Sequence, residues 1–195
     1  MSEDAAAKRR ARQTVTNLVL ALGASVAIVV GLVLIVPRSE SSLIQKVDYV
    51  SIGQDAASST ELPVVIPDIE STWWCNSARW IAQPGDGTKA AWYAGFVGPQ
   101  NEYIGFTQTY ATNETWLALK LSGLKKTGSL EVNKLNWQLW TSPEKHVPAK
   151  SKDYILVATV QNDTLMVYGT ASESAMKSFA TQISKKVFTL YPLTN

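Results

Sequence analysis

Cys75 is the only cysteine and His146 the only histidine in this sequence of 195 residues, so it offers a single thiol–imidazole pair for nucleophilic catalysis. A nucleophile of that kind must lie within hydrogen-bond reach of its base, with a third group orienting the base. Nothing in the spacing brings the two together. Cys75 follows Trp73 and Trp74, His146 sits in the Pro-flanked turn SPEKHVP, and no Gly-x-Ser-x-Gly occurs. Cys75 reads instead as a small buried apolar group that cannot form an intramolecular disulfide. No His/Cys pair stands at metal-ligand spacing, and the acids are spread singly. Two converging carboxylates could serve glycoside hydrolysis, but no pair is singled out. The expectation is a chain that is not an enzyme, with no catalytic residue, no metal and no cofactor.

Tryptophan is the compositional excess, with 7 in the chain and most of them between Trp73 and Trp137. Trp92, Trp137 and Trp140 occupy alternating positions and are expected on a sheet face beneath a helix. Trp73, Trp74 and Trp116 are less regularly placed, and read as interface aromatics against a membrane or a partner. An apolar pocket between sheet and helix is the other use such residues could have.

These side chains must be positioned by a chain whose organising stretch is Leu18–Val36, LVLALGASVAIVVGLVLIV. It carries no charge, and at 1.5 Å per residue it extends about 28 Å, close to a hydrocarbon core of roughly 30 Å. The run is longer than the roughly 7–15 residues of a signal-peptide core and is followed by no small-x-small cleavage site. Lys8, Arg9, Arg10 and Arg12 precede it, which places the N-terminus in the cytoplasm and the remainder outside. Gly23, Ala24, Ala27 and Gly31 form a small-residue stripe at helix-packing spacing. The resulting division is a basic cytoplasmic tail (1–14), a transmembrane helix (15–37), a stalk rich in Ser and Pro (38–72) and an extracytoplasmic domain (73–195). Beyond the tail the chain holds 14 basic and 14 acidic residues, and a neutral domain without a basic run is a poor nucleic-acid binder.

Turn signals recur through the domain, with runs between them that alternate as half-buried strands do. Strands are expected at 74–82, 89–97, 103–110, 129–132, 135–141, 154–160 and 164–170, with hairpin turns at Asn133-Lys134 and Asn162-Asp163. Asn113 is a suitable N-cap for a helix over 114–124. Ser172 or Ser174 caps a final helix whose Met176, Phe179, Ala180, Ile183 and Val187 make one apolar stripe, while Leu62–Ile66 could dock as an edge segment. Short loops between strands give an antiparallel sheet of about six to seven strands packed with two helices, an α+β fold.

A span, a stalk, a Pro-then-Trp entry from Pro67, Asn76-Ser77-Ala78-Arg79, a Gly-bearing turn, a Trp-Tyr strand and Leu135-Asn136-Trp137 together resemble one family, domain of unknown function 4245. Trp73-Trp74 departs from the Gly-Trp pair that family would show. The resemblance implies an actinobacterial plasma membrane and an outward-facing domain, and supplies no activity, substrate or catalytic residue. The sequence is thus expected to encode an accessory, interaction-making subunit of a larger envelope membrane complex, for example a respiratory-chain assembly. Its partners would be the lipid bilayer and other membrane proteins, not nucleic acid. The rival expectation is a binding module for a lipid or other apolar envelope ligand.

Overall fold

The computed structural model describes the backbone of residues 3–35, 45–144, 150–151 and 153–191, with the side chains of all of these but 3–11 and 33–35. His146 lies outside the described residues. The chain divides into two units, Met1–Leu43 and Ile44–Asn195.

In the first unit α1 (Glu3–Ile35) is one continuous helix, so the expected tail is helical as well, in keeping with its Ala, Arg and Gln content. Its stretch Arg12–Leu32 is long and apolar enough to cross a membrane and buries none of its side chains. Leu18, Leu22, Ile28 and Leu32 are all more than half exposed, and a helix apolar on every side has no face suited to water. Ser25, the one polar side chain between Leu18 and Leu32, donates back to the Ala21 carbonyl at 3.0 Å and so leaves no hydroxyl proton unpaired.

The second unit is built on seven strands, β1 (Trp74–Ile81), β2 (Ala90–Val97), β3 (Tyr103–Tyr110), β4 (Lys125–Val132), β5 (Leu135–Thr141), β6 (Tyr154–Val160) and β7 (Asp163–Gly169). They form a single sheet in the order β1-β2-β3-β7-β6-β5-β4, antiparallel throughout. Two meanders, β1 to β3 and β4 to β7, are therefore joined only where β3 pairs with β7. The link between them, α3 (Glu114–Lys120), must carry the chain from the middle of the sheet to its far edge, across one face.

Side chains alternate along the strands with period two, which assigns each residue to a face. On the first face Trp92, Phe96, Phe106, Trp137, Leu156 and Leu165 are fully or almost fully buried beneath α4 (Glu173–Leu190). The helix contributes the expected stripe of Met176, Phe179, Ala180, Ile183 and Val187, and Ser172 caps it by accepting the Ala175 N–H at 3.2 Å. Each such side chain contributes about 1.5–3 kcal/mol on burial. The indole of Trp137 donates to Ser184 Oγ at 2.8 Å, and Ser184 in turn donates to the Ala180 carbonyl, so both polar groups are satisfied inside the core.

The expected stalk is corrected by the structure: residues 45–72 belong to the domain. Helix α2 (Tyr49–Ser59) is capped by Asp48, whose carboxylate accepts the Ser51 N–H at 3.1 Å. It buries Gly53 and Ala56, and Tyr49 meets Phe96 edge-on at 5.1 Å. Residues Leu62–Ile66 then cross the first face of the sheet and do not pair at an edge. Val65 N–H donates to Gln108 Oε1 at 2.8 Å, Trp92 Nε1 donates to the Val65 carbonyl at 3.0 Å, and Gln108 Nε2 and Tyr110 Oη both donate to the Pro63 carbonyl. This segment supplies the partners that the buried Gln108 and Trp92 need.

Three smaller expectations also shift. The helix expected over 114–124 ends at Lys120, because the chain reverses through Gly123 at φ +83° and enters β4 at Lys125. Trp140 lies on the opposite face from Trp92 and Trp137, half-buried beside Gln138. The last hairpin turns one residue early, at Gln161-Asn162, since the Asp163 carboxylate accepts the Ala111 N–H and the Tyr191 hydroxyl and is held in the strand.

Cys75 is 3% exposed and unpaired, with its thiol pushed up by burial and donating to the Ser77 carbonyl at 3.3 Å. Maleimide should therefore label the folded chain slowly and the urea-unfolded chain fast; equal rates would contradict this packing.

Candidate functional site

The second face of the sheet is covered only in part. Helix α3 has 7 residues, capped by Asn113, whose side chain accepts the Trp116 N–H at 2.9 Å. It buries Trp116 over Ile155, Val157 and Met166, with Leu121 beside it. Such a short helix cannot reach across four strands. Between α3, the turn at 84–86 and strands β1, β2, β3 and β7 there remains a cleft of about 410 Å³, within the roughly 300–1,000 Å³ of small-molecule sites. Ile81, Ala91, Ile155 and Met166 line it with apolar surface, Pro84 and Trp116 stand on the α3 side, and Tyr93, Thr107 and Tyr168 on the other. Arg79, Asp86, Lys120 and the buried Thr109, which pairs with Ala91, complete the lining.

Asp86 ties the turn to the helix. Its carboxylate accepts Thr88 Oγ1 at 2.6 Å and Trp116 Nε1 at 2.7 Å, and lies 3.4 Å from Lys120 Nζ. Lys120 also sits 5.1 Å from the centre of the Trp116 ring. The Thr88 hydroxyl and then the Trp116 indole hold the carboxyl down at about 2. A carboxyl lowered in the folded state contributes stability that is present above its unfolded value and lost as pH falls through the folded one. Asp86→Asn should therefore cost about 1 kcal/mol at neutral pH, the half-exposed pair being partly screened. Urea unfolding should show that difference shrinking toward zero as pH approaches about 2. A difference that persists undiminished there would contradict the latch.

At the other end lies a cluster of phenols. The hydroxyls of Tyr93 and Tyr103 share a hydrogen bond, and Tyr168 Oη stands 3.5 Å from Thr107 Oγ1. These rings can lie low because Gly95 pairs with Gly105 beneath them. A Cβ on Gly95 would come within 2.8 Å of both Tyr93 and Tyr103 hydroxyls, and one on Gly105 within 2.7 Å of the Tyr168 ring. Burial raises the pKa of Tyr103 and Tyr168, so both phenols are neutral donors at neutral pH. The guanidinium of Arg79 stacks on Tyr93, 4.3 Å from the ring centre. Asn76 Oδ1 is buried next to this cluster with no hydrogen-bond partner among the described residues.

A family model matches residues 10–183, a stretch that takes in most of α1, the whole cleft and α4 as far as Ile183. The chain belongs to the DUF4245 family, described as protein of unknown function. No curated protein and no solved structure matches it. In this DUF4245 chain the landmarks behind the resemblance fall on one sheet: Asn76 to Arg79 on β1 and Trp92-Tyr93 on its neighbour β2, with Leu135 to Trp137 on β5, beyond three intervening strands.

Each unit holds its own share of the residues that the sequence proposes. Gly23, Ala24, Ala27 and Gly31 lie along α1, where a Cβ on either glycine would meet nothing within 4 Å. Trp73 packs against the main core, and Trp74 is half-buried at the start of β1. Trp116 is not an exposed interface aromatic: it is 7% exposed, with its indole N–H committed to Asp86. Arg79, Asp86, Tyr93 and Tyr168 are cleft residues that the sequence reading of the DUF4245 chain leaves out. The signal was a repeated Tyr-x-Gly, Tyr93-Ala94-Gly95 and Tyr103-Ile104-Gly105, on two consecutive strands. Among the described residues no cluster of three or more His, Cys, Asp or Glu could hold a metal ion.

Proposed function

We propose that this chain is a non-enzymatic, single-pass membrane protein whose outward-facing domain binds a small apolar or amphiphilic ligand in the cleft between α3 and the sheet. The carrying observation is the cleft itself, apolar on the inside and flanked by aromatic rings and neutral hydroxyls. Such walls bind and orient a ligand. They are poorly equipped for chemistry, since the Asp86 carboxylate is held far below neutrality, where it is a weak base, and its charge faces Lys120. The basic residues Lys8, Arg9, Arg10 and Arg12 before the apolar run support a cytoplasmic N-terminus.

The test uses the full chain in phosphatidylcholine nanodiscs, with decanol as an uncharged apolar probe and empty discs as reference. Saturable binding is expected, and Ala91→Phe, which fills the floor, should weaken it at least about tenfold while the unfolding midpoint holds. Binding that is no greater than in empty discs would overturn the reading.

A second reading has its own observation. Gly23, Ala27 and Gly31 recur every four residues on a helix whose side chains are unburied, a face on which another helix can approach closely. On this reading the protein is an accessory subunit of a larger envelope membrane complex, such as a respiratory-chain assembly. Gly23→Leu with Gly31→Leu should then release it from co-purifying membrane proteins without affecting insertion. Full retention would remove the span as the docking surface.

A further inference from the structure

Three charged side chains line the cleft, and they do not cancel. Asp86 and Lys120 face one another at 3.4 Å, which leaves Arg79 as the uncompensated charge. Among the described residues it makes no ion pair, and its guanidinium is held flat on Tyr93 at 4.3 Å. Stacking fixes the plane of the guanidinium and leaves its N–H edge free, and that planar fork matches a carboxylate. Neutral hydroxyl donors stand on the same side, Tyr168 and Thr107. Ile81, Ala91, Ile155 and Met166 offer only apolar contact, and an anion placed among them without a partner would be strongly disfavoured. The charged and the apolar parts of the cleft thus ask for one molecule with two ends.

We infer that the occupant of the cleft is a free single-chain amphiphile with one anionic head, a carboxylate bound by Arg79, and an apolar tail lying along the sheet toward Met166. This rests on the reading of the cleft as the ligand site. Size suits a single tail: a methylene takes about the space of a water molecule, roughly 30 Å³, so ten carbons fill about 300 Å³. The cleft holds about 410 Å³. Arg79 is exposed, so replacing it leaves the core intact.

The experiment compares decanoate with decanol on the full chain in phosphatidylcholine nanodiscs by equilibrium dialysis against empty discs. Decanoate should bind about tenfold or more tighter than decanol, and Arg79→Gln should abolish that preference by weakening decanoate far more than decanol. Exchanging the disc lipid for phosphatidylglycerol should leave decanoate binding in place, and competition by that lipid would overturn the free-amphiphile assignment. Equal affinities for the two probes, or an equal loss of both in Arg79→Gln, would overturn the anionic head but not the cleft. Absence of saturable binding of either probe would overturn both.

Discussion

Gly169→Ala should destabilise the domain by about 3 kcal/mol or more, the largest effect expected from a single added methyl group. Gly169 ends β7 opposite Ile104 of β3. A Cβ there would stand 1.9 Å from the Tyr103 carbonyl oxygen and 3.0 Å from the Ile104 Cα, both backbone atoms that no rotamer change can move. The same carbonyl accepts the N–H groups of Thr170 and Ala171 at 2.9 and 3.2 Å, so the strands cannot part locally without losing those bonds as well. Since β3 and β7 are the only junction between the two meanders, the damage should lower the unfolding midpoint of the whole domain in urea. A loss below about 1 kcal/mol would show that this end of the junction is slack.

Gln108→Leu should cost about 3 kcal/mol, although it places an apolar side chain of similar size in the core. Gln108 is fully buried, accepts the Val65 N–H at 2.8 Å and donates to both the Pro63 carbonyl and Tyr191 Oη at 2.7 Å. Leucine leaves the Val65 N–H without an acceptor in the interior, at about 1–3 kcal/mol, and the lost bonds add to that. The other partners suffer less, because Tyr110 still donates to Pro63 and Tyr191 still donates to Asp163. The segment 62–66 should loosen, and limited proteolysis should cut there in the variant before the sheet unfolds. A variant as stable and as protease-resistant as the parent would contradict the role given to this segment.

Much of the domain was legible because its alternation is strict. Trp92, Ala94 and Phe96 alternate with Tyr93, Gly95 and Val97 along one strand, which alone sorts them into two faces, and the apolar stripe of α4 is as plain. Local chemistry was equally readable at Asn113 and Ser172, where a side-chain oxygen meets the N–H that a helix start exposes. The failures are long-range. Residues 45–72 read as a stalk because Ser, Pro and scattered acids break any strict period, yet their order comes from Gln108, Tyr110 and Trp92, whose side chains lie some 27 to 47 positions further on. Trp140 is the exception: it follows Trp137 by three positions on the same strand, an odd step that alternation alone assigns to the opposite face, whereas the other misreadings need partners distant in the chain.

The cleft was the least legible feature, for the same reason. It exists because α3 must cross the sheet between β3 and β4 and is too short to cover it, and strand order is not written locally. Its polar end could have been anticipated from the repeated Tyr-x-Gly. Its mouth could not, since the pairing of Asp86 with Trp116 joins residues thirty apart in the chain.

The claim that the cleft is a ligand site can be tested most directly through the methionine methyl groups. Met166 lines the cleft, whereas Met176 lies fully buried in the core on the opposite face. With methyl-labelled methionine in the full chain in nanodiscs, titration with decanoate should shift the Met166 resonance in a saturable way and leave that of Met176 in place. A titration that moves neither resonance, or moves Met176 as much as Met166, would contradict the account.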